Sequence, residues 1–212
     1  MKKFVFELKD PLYEMAFVDG MLKDRKDLLL VIIEACRYMM YNPQVPNADN
    51  KMMLIVNEMN RLFFCTTKKM FSVMFPFHVN DYPSIMFDCN QIPVDSQMLS
   101  YMRQFLDSEE FKAEGALDFI TPIEDFQEKE NKDFWTVVRY LLTYEMGYVR
   151  YDDDLAGYNN ACRQGTPKRH PRYHYDVNLD SQSTFKLGLR GQITPDKFVD
   201  FLDNKKDRPV VI

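Results

Sequence analysis

The sequence has little of what usually makes a functional site obvious. Its 212 residues include 3 histidines, 7 glycines, 1 tryptophan and 4 cysteines. Cys36, Cys65, Cys89 and Cys162 form no C-x-x-C pair, which excludes zinc-ribbon and zinc-finger spacings. With no secretion signal, a disulfide framework is not expected, and all four read as reduced, structural thiols. There is no P-loop, no dinucleotide fingerprint and no G-x-S-x-G elbow, so nucleotide hydrolases and common dehydrogenases are disfavoured and no cofactor is called for. The longest aliphatic run, Leu28 to Ile33, is six residues long, whereas a membrane span needs about 20. Glu7, Lys9 and Asp10 interrupt the N-terminus before a signal-peptide core can form. A cytoplasmic protein without a membrane partner is the expectation.

What is present is an ordinary globular composition, with 46% hydrophobic and 28% charged residues and a formal net charge of −5. That balance excludes a general polyanion binder. The first two thirds read mainly as helices. Residues 24–41 place Leu28, Leu29, Ile32, Ile33, Cys36, Met39 and Met40 on one apolar face, ended by Pro43. Residues 50–64 repeat the design with Met52, Ile55, Val56, Met59, Leu62 and Phe63, and residues 95–107 follow with Met98, Leu99, Met102, Phe105 and Leu106. A fourth helix is capped by Asn131, carries Phe134, Val138, Leu141, Leu142 and Met146, and reaches its C-terminal glycine at Gly147. Between the second and third of these helices, residues 70–93 read as short extended pieces and turns. Trp135 reads as a packing anchor and His78 as a core-edge histidine.

After Gly147 the period changes from 3.6 to 2. Residues 148–152 alternate, as do Arg172 to Leu179 and Thr184 to Arg190, joined by the polar turn Asp180 to Ser183. Tyr173, Tyr175, Val177 and Leu179 line a dry face, and His174, Asp176 and Asn178 a wet one. Thr194-Pro195-Asp196 opens a closing helix whose Phe198, Phe201 and Leu202 suit the dry face. The tail, Lys205 to Ile212, reads as frayed or partner-bound. The expected architecture is α+β in a single domain, 1–212: a helical part, 1–146, packed with a small antiparallel sheet and closing helix, 147–204.

One segment stands apart in charge. Residues 155–175 contain Arg163, Lys168, Arg169 and Arg172 and no acid, and they hold His170 and His174. Its first sixteen residues, Leu155 to His170, lack apolar periodicity and read as a long irregular connection. Arginine forks and a lysine hold phosphate, and Tyr158, Tyr173 and Tyr175 offer faces on which bases stack. Lys186 and Arg190, on the next strand, extend the phosphate-binding set to Arg163, Lys168, Arg169, Arg172, Lys186 and Arg190. Two histidines with near-neutral titration suit general acid–base cleavage of a phosphodiester without metal, so His170, His174 and Asp176 are the candidate catalytic residues. The plain alternative is structural: Asp176 opposite a lysine or arginine is an ordinary cross-strand ion pair.

Pro171 breaks any helix that would bring His170 and His174 together with Asp176 around a metal, so no metal ligand is assigned. Asp152-Asp153-Asp154 reads as a solvated strand end or as a neutraliser of the basic segment, rather than a magnesium site. Arg163 and His170 match the spacing of helical ribonucleases, but Gly165 and Pro167 do not suit that helix. Glu110-Phe111-Lys112 matches an E-x-K nuclease fragment of only three residues.

Tyr148-Val149-Arg150-Tyr151-Asp152, His170-Pro171-Arg172-Tyr173-His174 and Thr194-Pro195-Asp196-Lys197-Phe198-Val199-Asp200-Phe201 resemble a pattern in uncharacterised bacterial proteins. Those proteins share a Y-x-R-[FY]-D strand, an H-P-x-x-H strand and a T/S-P-x-x-F-x-x-F helix, and occur on mobile elements and among phage-defence genes. The resemblance does not extend into the N-terminal part. It implies that His170, Pro171 and His174 act as a unit supported by Arg150 and Asp152, and that the chain serves host defence. The leading expectation is a bacterial accessory protein binding nucleic acid or another phosphate ligand through residues 163–190, within a larger assembly. The rivals are a metal-independent ribonuclease or toxin using His170 and His174, and a non-catalytic protein-interaction subunit.

Overall fold

Met52 to Val56 is apolar at every position, a pattern that suits a helix core or a strand covered on both faces. In the computed structural model it is the strand. The structure describes residues 2–17, 22, 24–108, 111, 132–178 and 184–207, the side chains of Asn178 and Thr184 excepted. In chain order the elements are β1 (Lys2–Glu7), α1 (Leu12–Phe17), α2 (Arg25–Tyr41), β2 (Lys51–Val56), β3 (Arg61–Cys65), β4 (Lys69–Met74), β5 (His78–Asn80), β6 (Met86–Cys89), β7 (Ile92–Pro93), α3 (Ser96–Asp107), α4 (Lys132–Thr143), β8 (Val149–Asp153), α5 (Leu155–Arg163), a 3-10 turn (Pro167–Arg169), β9 (Tyr173–Asn178), β10 (Thr184–Gly188) and α6 (Pro195–Leu202).

These elements fall into two compact units. The first comprises Met1–Met21, Pro43–Phe75 and Met146–Ile212. It is built on a seven-stranded sheet in the order β1-β2-β3-β4-β8-β9-β10, antiparallel throughout. One face carries Met53, Ile55, Phe63, Met70, Tyr151 and Tyr175, against which α6 seats Phe198. The Phe198 ring lies edge-on to Phe63 and stacks at 6.0 Å on Tyr175. On the other face Phe64 and Phe71 stack at 4.6 Å, and Phe17 of α1 meets Phe71 edge-on.

The second unit comprises Leu22–Asn42 and Pro76–Glu145. Here α2 and α3 are each capped by an aspartate, Asp24 and Asp95, accepting from Asp27 N and Met98 N. Leu29 and Ile33 of α2, Met102 and Phe105 of α3 and Val138 and Leu141 of α4 enclose the helical core. A three-stranded sheet, β5-β6-β7, completes the unit.

The helical N-terminal part with a small C-terminal sheet is therefore overturned. Helices and antiparallel sheet coexist, but β1 to β4, from the first 74 residues, supply four of the seven strands. The helix expected over 50–64 is the β2–β3 hairpin. Its turn is marked by Asn57 and Asn60, both at positive φ (73° and 47°), a conformation asparagine tolerates better than most residues. The Asn60 side chain accepts from the Asn57 N–H and closes the turn. The helices over 24–41 and 95–107 are present as α2 and α3. The fourth helix stops at Thr143, so Met146 and Gly147 lie beyond it, and its cap Asn131 lies outside the described residues.

Residues 155–169 are not an irregular connection: they hold α5 and the 3-10 turn. The turn Asp180 to Ser183 and residues 208–212 lie outside the described residues, as do Glu110 and Lys112. Trp135 is buried at the centre of an aromatic cluster with Phe105 and Phe134. His78 is exposed on β5 rather than set at a core edge. Cys36, Cys65 and Cys89 are buried free thiols, and burial pushes that of Cys65 up to about 12. Among the described residues no helix is long and apolar enough to cross a membrane.

Candidate functional site

Strand alternation decides which side chains of β8, β9 and β10 share a face. Arg150 pairs across from Asp176, Asp152 from His174, and Lys186 from Asp176. All five therefore project from the sheet face opposite α6. This face was expected to be wet. Instead Asp152, His174 and Asp176 are buried, at 6%, 1% and 4% exposure. Pro171 and His170, at the end of the 155–171 segment, lie against His174, with Nδ1 2.7 Å from the Pro171 carbonyl and the two imidazole rings edge-on.

The charges are matched inside the cluster. Arg150 Nε donates to Asp152 Oδ2 at 2.8 Å, and Arg150 Nη2 donates to Asp176 Oδ2. Lys186 Nζ donates to Asp176 Oδ1 at 2.7 Å and to His174 Nε2 at 2.8 Å. The Pro171 carbonyl can only accept, so His174 Nδ1, 2.7 Å away, carries the proton and Nε2 presents its lone pair. Burial first, then the charge of Lys186, hold the imidazole below its ordinary value against the pull of Asp176, so His174 is neutral. Burial works to raise the Asp176 carboxyl. The Lys186 hydrogen bond and the charges of Arg150 and Lys186 outweigh it, and the net shift is downward. Asp152 Oδ1 is buried and has no hydrogen-bond partner among the described residues.

Above the cluster, the Asp152–Asp154 run is divided among three tasks rather than solvated. Asp152 belongs to the buried cluster. Asp153 accepts from Arg172 Nε at 2.8 Å. Asp154 caps α5 by accepting from Gly157 N at 2.8 Å, and its other oxygen accepts from His170 Nε2, also at 2.8 Å. The His170 ring lies edge-on to that of His174 with centroids 5.0 Å apart. At the far end of α5, Gly165 takes φ +72°, which lets the chain turn into Pro167–Arg169. Thr166 N donates back to Ala161 O at 2.8 Å and fixes that turn.

The sequence-derived candidates thus separate into two layers. His174, Asp176, Lys186, Arg150 and Asp152 meet on one face of β8, β9 and β10, and His170 packs edge-on against His174. Arg163, at the end of α5, and Lys168 and Arg169, in the 3-10 turn, are exposed. Arg172 is tied to Asp153 and lies over the Tyr173 ring at 4.7 Å from its centroid. Arg190 is exposed just after β10. Tyr175 is withdrawn from any base-stacking role because it is buried on the α6 face, stacked at 4.3 Å on Phe201. Asp153, Asp154 and Gly157 were missed as working residues. The aspartate three positions before Gly157 is an N-cap signal, hidden by its place in an acidic triplet.

No protein-family model, no curated protein and no solved structure matches this chain.

Proposed function

We propose that the chain binds nucleic acid through its phosphates, using Arg163, Lys168 and Arg169, as a cytoplasmic accessory protein of a bacterial phage-defence or mobile-element system. The observation that carries the binding reading is that these three cations are exposed and, among the described residues, enter no ion pair. Each neighbouring acid of the Asp152–Asp154 run has its own partner in Arg150, Arg172 or His170. The surface is therefore locally positive although the chain carries −5, and uncommitted arginine and lysine donors are what phosphate contacts require. Tyr158, partly exposed on the same helix, supplies a face for a base. The defence setting is supported by the likeness of residues 148–201 to uncharacterised bacterial proteins.

Binding is favoured over cleavage by the two histidines because His174 is 1% exposed and both of its ring nitrogens are engaged. A general acid or base must reach the proton it transfers. The test is fluorescence anisotropy with a labelled mixed-sequence RNA across a salt series. Single-strand contacts contribute a slope of about 0.7 each, so log K against log salt should fall with a slope of about −2. Arg163→Ala, Lys168→Ala and Arg169→Ala should each flatten it by about 0.7. Unchanged slopes in all three, or no RNA binding at low salt, would refute the reading and turn attention to an acidic protein partner.

A further inference from the structure

We propose that Asp152, His174 and Asp176 form a binding site for a divalent first-row transition-metal ion, which enters by displacing the ammonium group of Lys186.

Four independent features of the cluster converge on this. One ligand atom from each of the three residues lies within 4.8 Å of the other two. His174 Nε2 is 3.6 Å from Asp176 Oδ1 and 3.8 Å from Asp152 Oδ2. Donors bound at about 2.1 Å to a tetrahedral ion lie about 3.4 Å apart, so the His174–Asp176 pair already stands near its bound spacing, and the Asp152 carboxylate, held by Arg150 at Oδ2, closes the set by turning Oδ1 toward the ion. The second feature is the histidine tautomer. Nδ1–H is held by the Pro171 carbonyl and the Nε2 lone pair faces the carboxylates, the orientation that a metal-ligating histidine takes from its outer-shell carbonyl.

The third feature is the unpartnered oxygen. Asp152 is 6% exposed, and its Oδ1 has no hydrogen-bond partner among the described residues. A desolvated anionic oxygen left unpaired is costly in a folded chain, and a coordinated cation satisfies it. The fourth is the division of labour within the carboxylates. Arg150 takes Oδ2 of both Asp152 and Asp176. What remains is Asp152 Oδ1, Asp176 Oδ1 and His174 Nε2, and the last two are the atoms to which Lys186 Nζ donates. Lys186 thus stands where a cation is wanted. Its side chain is 29% exposed on the last strand of the sheet, so it can swing out to water.

One nitrogen and two carboxylate oxygens are borderline ligands, suited to zinc or manganese rather than to calcium or a thiophilic ion. Three protein ligands leave a fourth position open to water or an anion. The inference is independent of the nucleic-acid reading, since none of Arg163, Lys168 or Arg169 takes part.

The test is equilibrium dialysis of the full chain against Zn2+ and Mn2+, with X-ray absorption on the zinc-loaded protein. Lys186→Met removes the competing ammonium and should raise affinity at least tenfold, at one ion per chain. Adding Asp152→Asn in that background should remove the gain. The absorption spectrum should show one imidazole nitrogen and otherwise oxygen. No saturable ion in Lys186→Met, equal affinity in the double variant, or a sulfur ligand from Cys162 would overturn the proposal. Near-UV circular dichroism checks that the variants fold. If Lys186→Met does not fold, the wild-type protein decides: one nitrogen- and oxygen-ligated ion per chain supports the site, and none refutes it.

Discussion

Replacing glycine by alanine in a helix normally stabilises it, by up to about 1 kcal/mol. At Gly157 the sign should reverse. A Cβ there would lie 2.4 Å from Asp154 Oδ2 and 2.4 Å from His170 Nε2, with His170 Cδ2 at 2.8 Å. The backbone N–H of Gly157 is also the donor to the Asp154 cap. Both clashing groups belong to the contact that pins the 3-10 turn to α5, so the methyl group must break that contact or tilt the helix. Overpacking of this kind costs about 1–3 kcal/mol, and the lost hydrogen bond adds about 0.5–1.5 kcal/mol, at the lower end because the pair is partly solvated. The propensity gain offsets only part of this, since Gly157 lies in the first turn. Net destabilisation by about 1–2 kcal/mol is expected, a fall in Tm of about 2–8 °C for a chain of this size. Urea and thermal unfolding read it directly. In a His170→Ala background the obstacle is gone and Asp154 is free to rotate, so Gly157→Ala should be neutral or stabilising. RNA affinity should fall in the single variant, because Lys168 and Arg169 ride on the displaced turn. A Gly157→Ala protein more stable than wild type would refute the packing argument.

Two further predictions concern the buried cluster. Arg150→Met leaves Asp152 Oδ2 and Asp176 Oδ2 without their shared partner inside the fold; it should destabilise by about 3–5 kcal/mol in urea titrations, and a loss below about 1.5 kcal/mol would contradict the pairing. His174 is held neutral in the native state by burial and by Lys186, whereas the unfolded chain protonates it near 6.5. The unfolded state therefore binds more protons below that value, so this contribution is complete above about pH 6.5 and is lost as pH falls toward the native-state value. Urea midpoints should drop as pH falls below about 6.5 and flatten in His174→Gln, whereas parallel profiles for the two proteins would exclude His174 as the source.

The helices α2 and α3 were legible from their apolar spacing; the aspartate caps that begin them, Asp24 and Asp95, agree with that period. So were β9, β10 and α6, where strict alternation and Thr194-Pro195-Asp196 leave one reading. The segment Lys51 to Cys65 was not, because a strand buried on both faces loses its alternation, and Met52, Ile55, Val56, Met59, Leu62 and Phe63 then imitate a helical stripe. At the site, the shared face of His174 and Asp176 followed from their spacing on one strand. Their burial did not, because His170 and Pro171, which lie against His174, follow α5, a short helix with only Ala161 buried, and that stretch shows no apolar period. The Lys186–Asp176 pair followed from the hairpin and is present, but neutralisation by Arg150 required knowing that β8 flanks β9, which spacing along the chain does not encode.

The most direct measurement is a labelled mixed-sequence RNA incubated with the purified chain, with and without EDTA, and run from one tube on native and denaturing gels. Wild-type protein should shift the RNA on the native gel and leave it intact on the denaturing gel, and a variant combining Arg163→Ala, Lys168→Ala and Arg169→Ala should shift nothing. RNA that is cleaved would contradict binding without cleavage, and RNA that the triple variant shifts as well as the wild type does would contradict a phosphate-binding role for Arg163, Lys168 and Arg169.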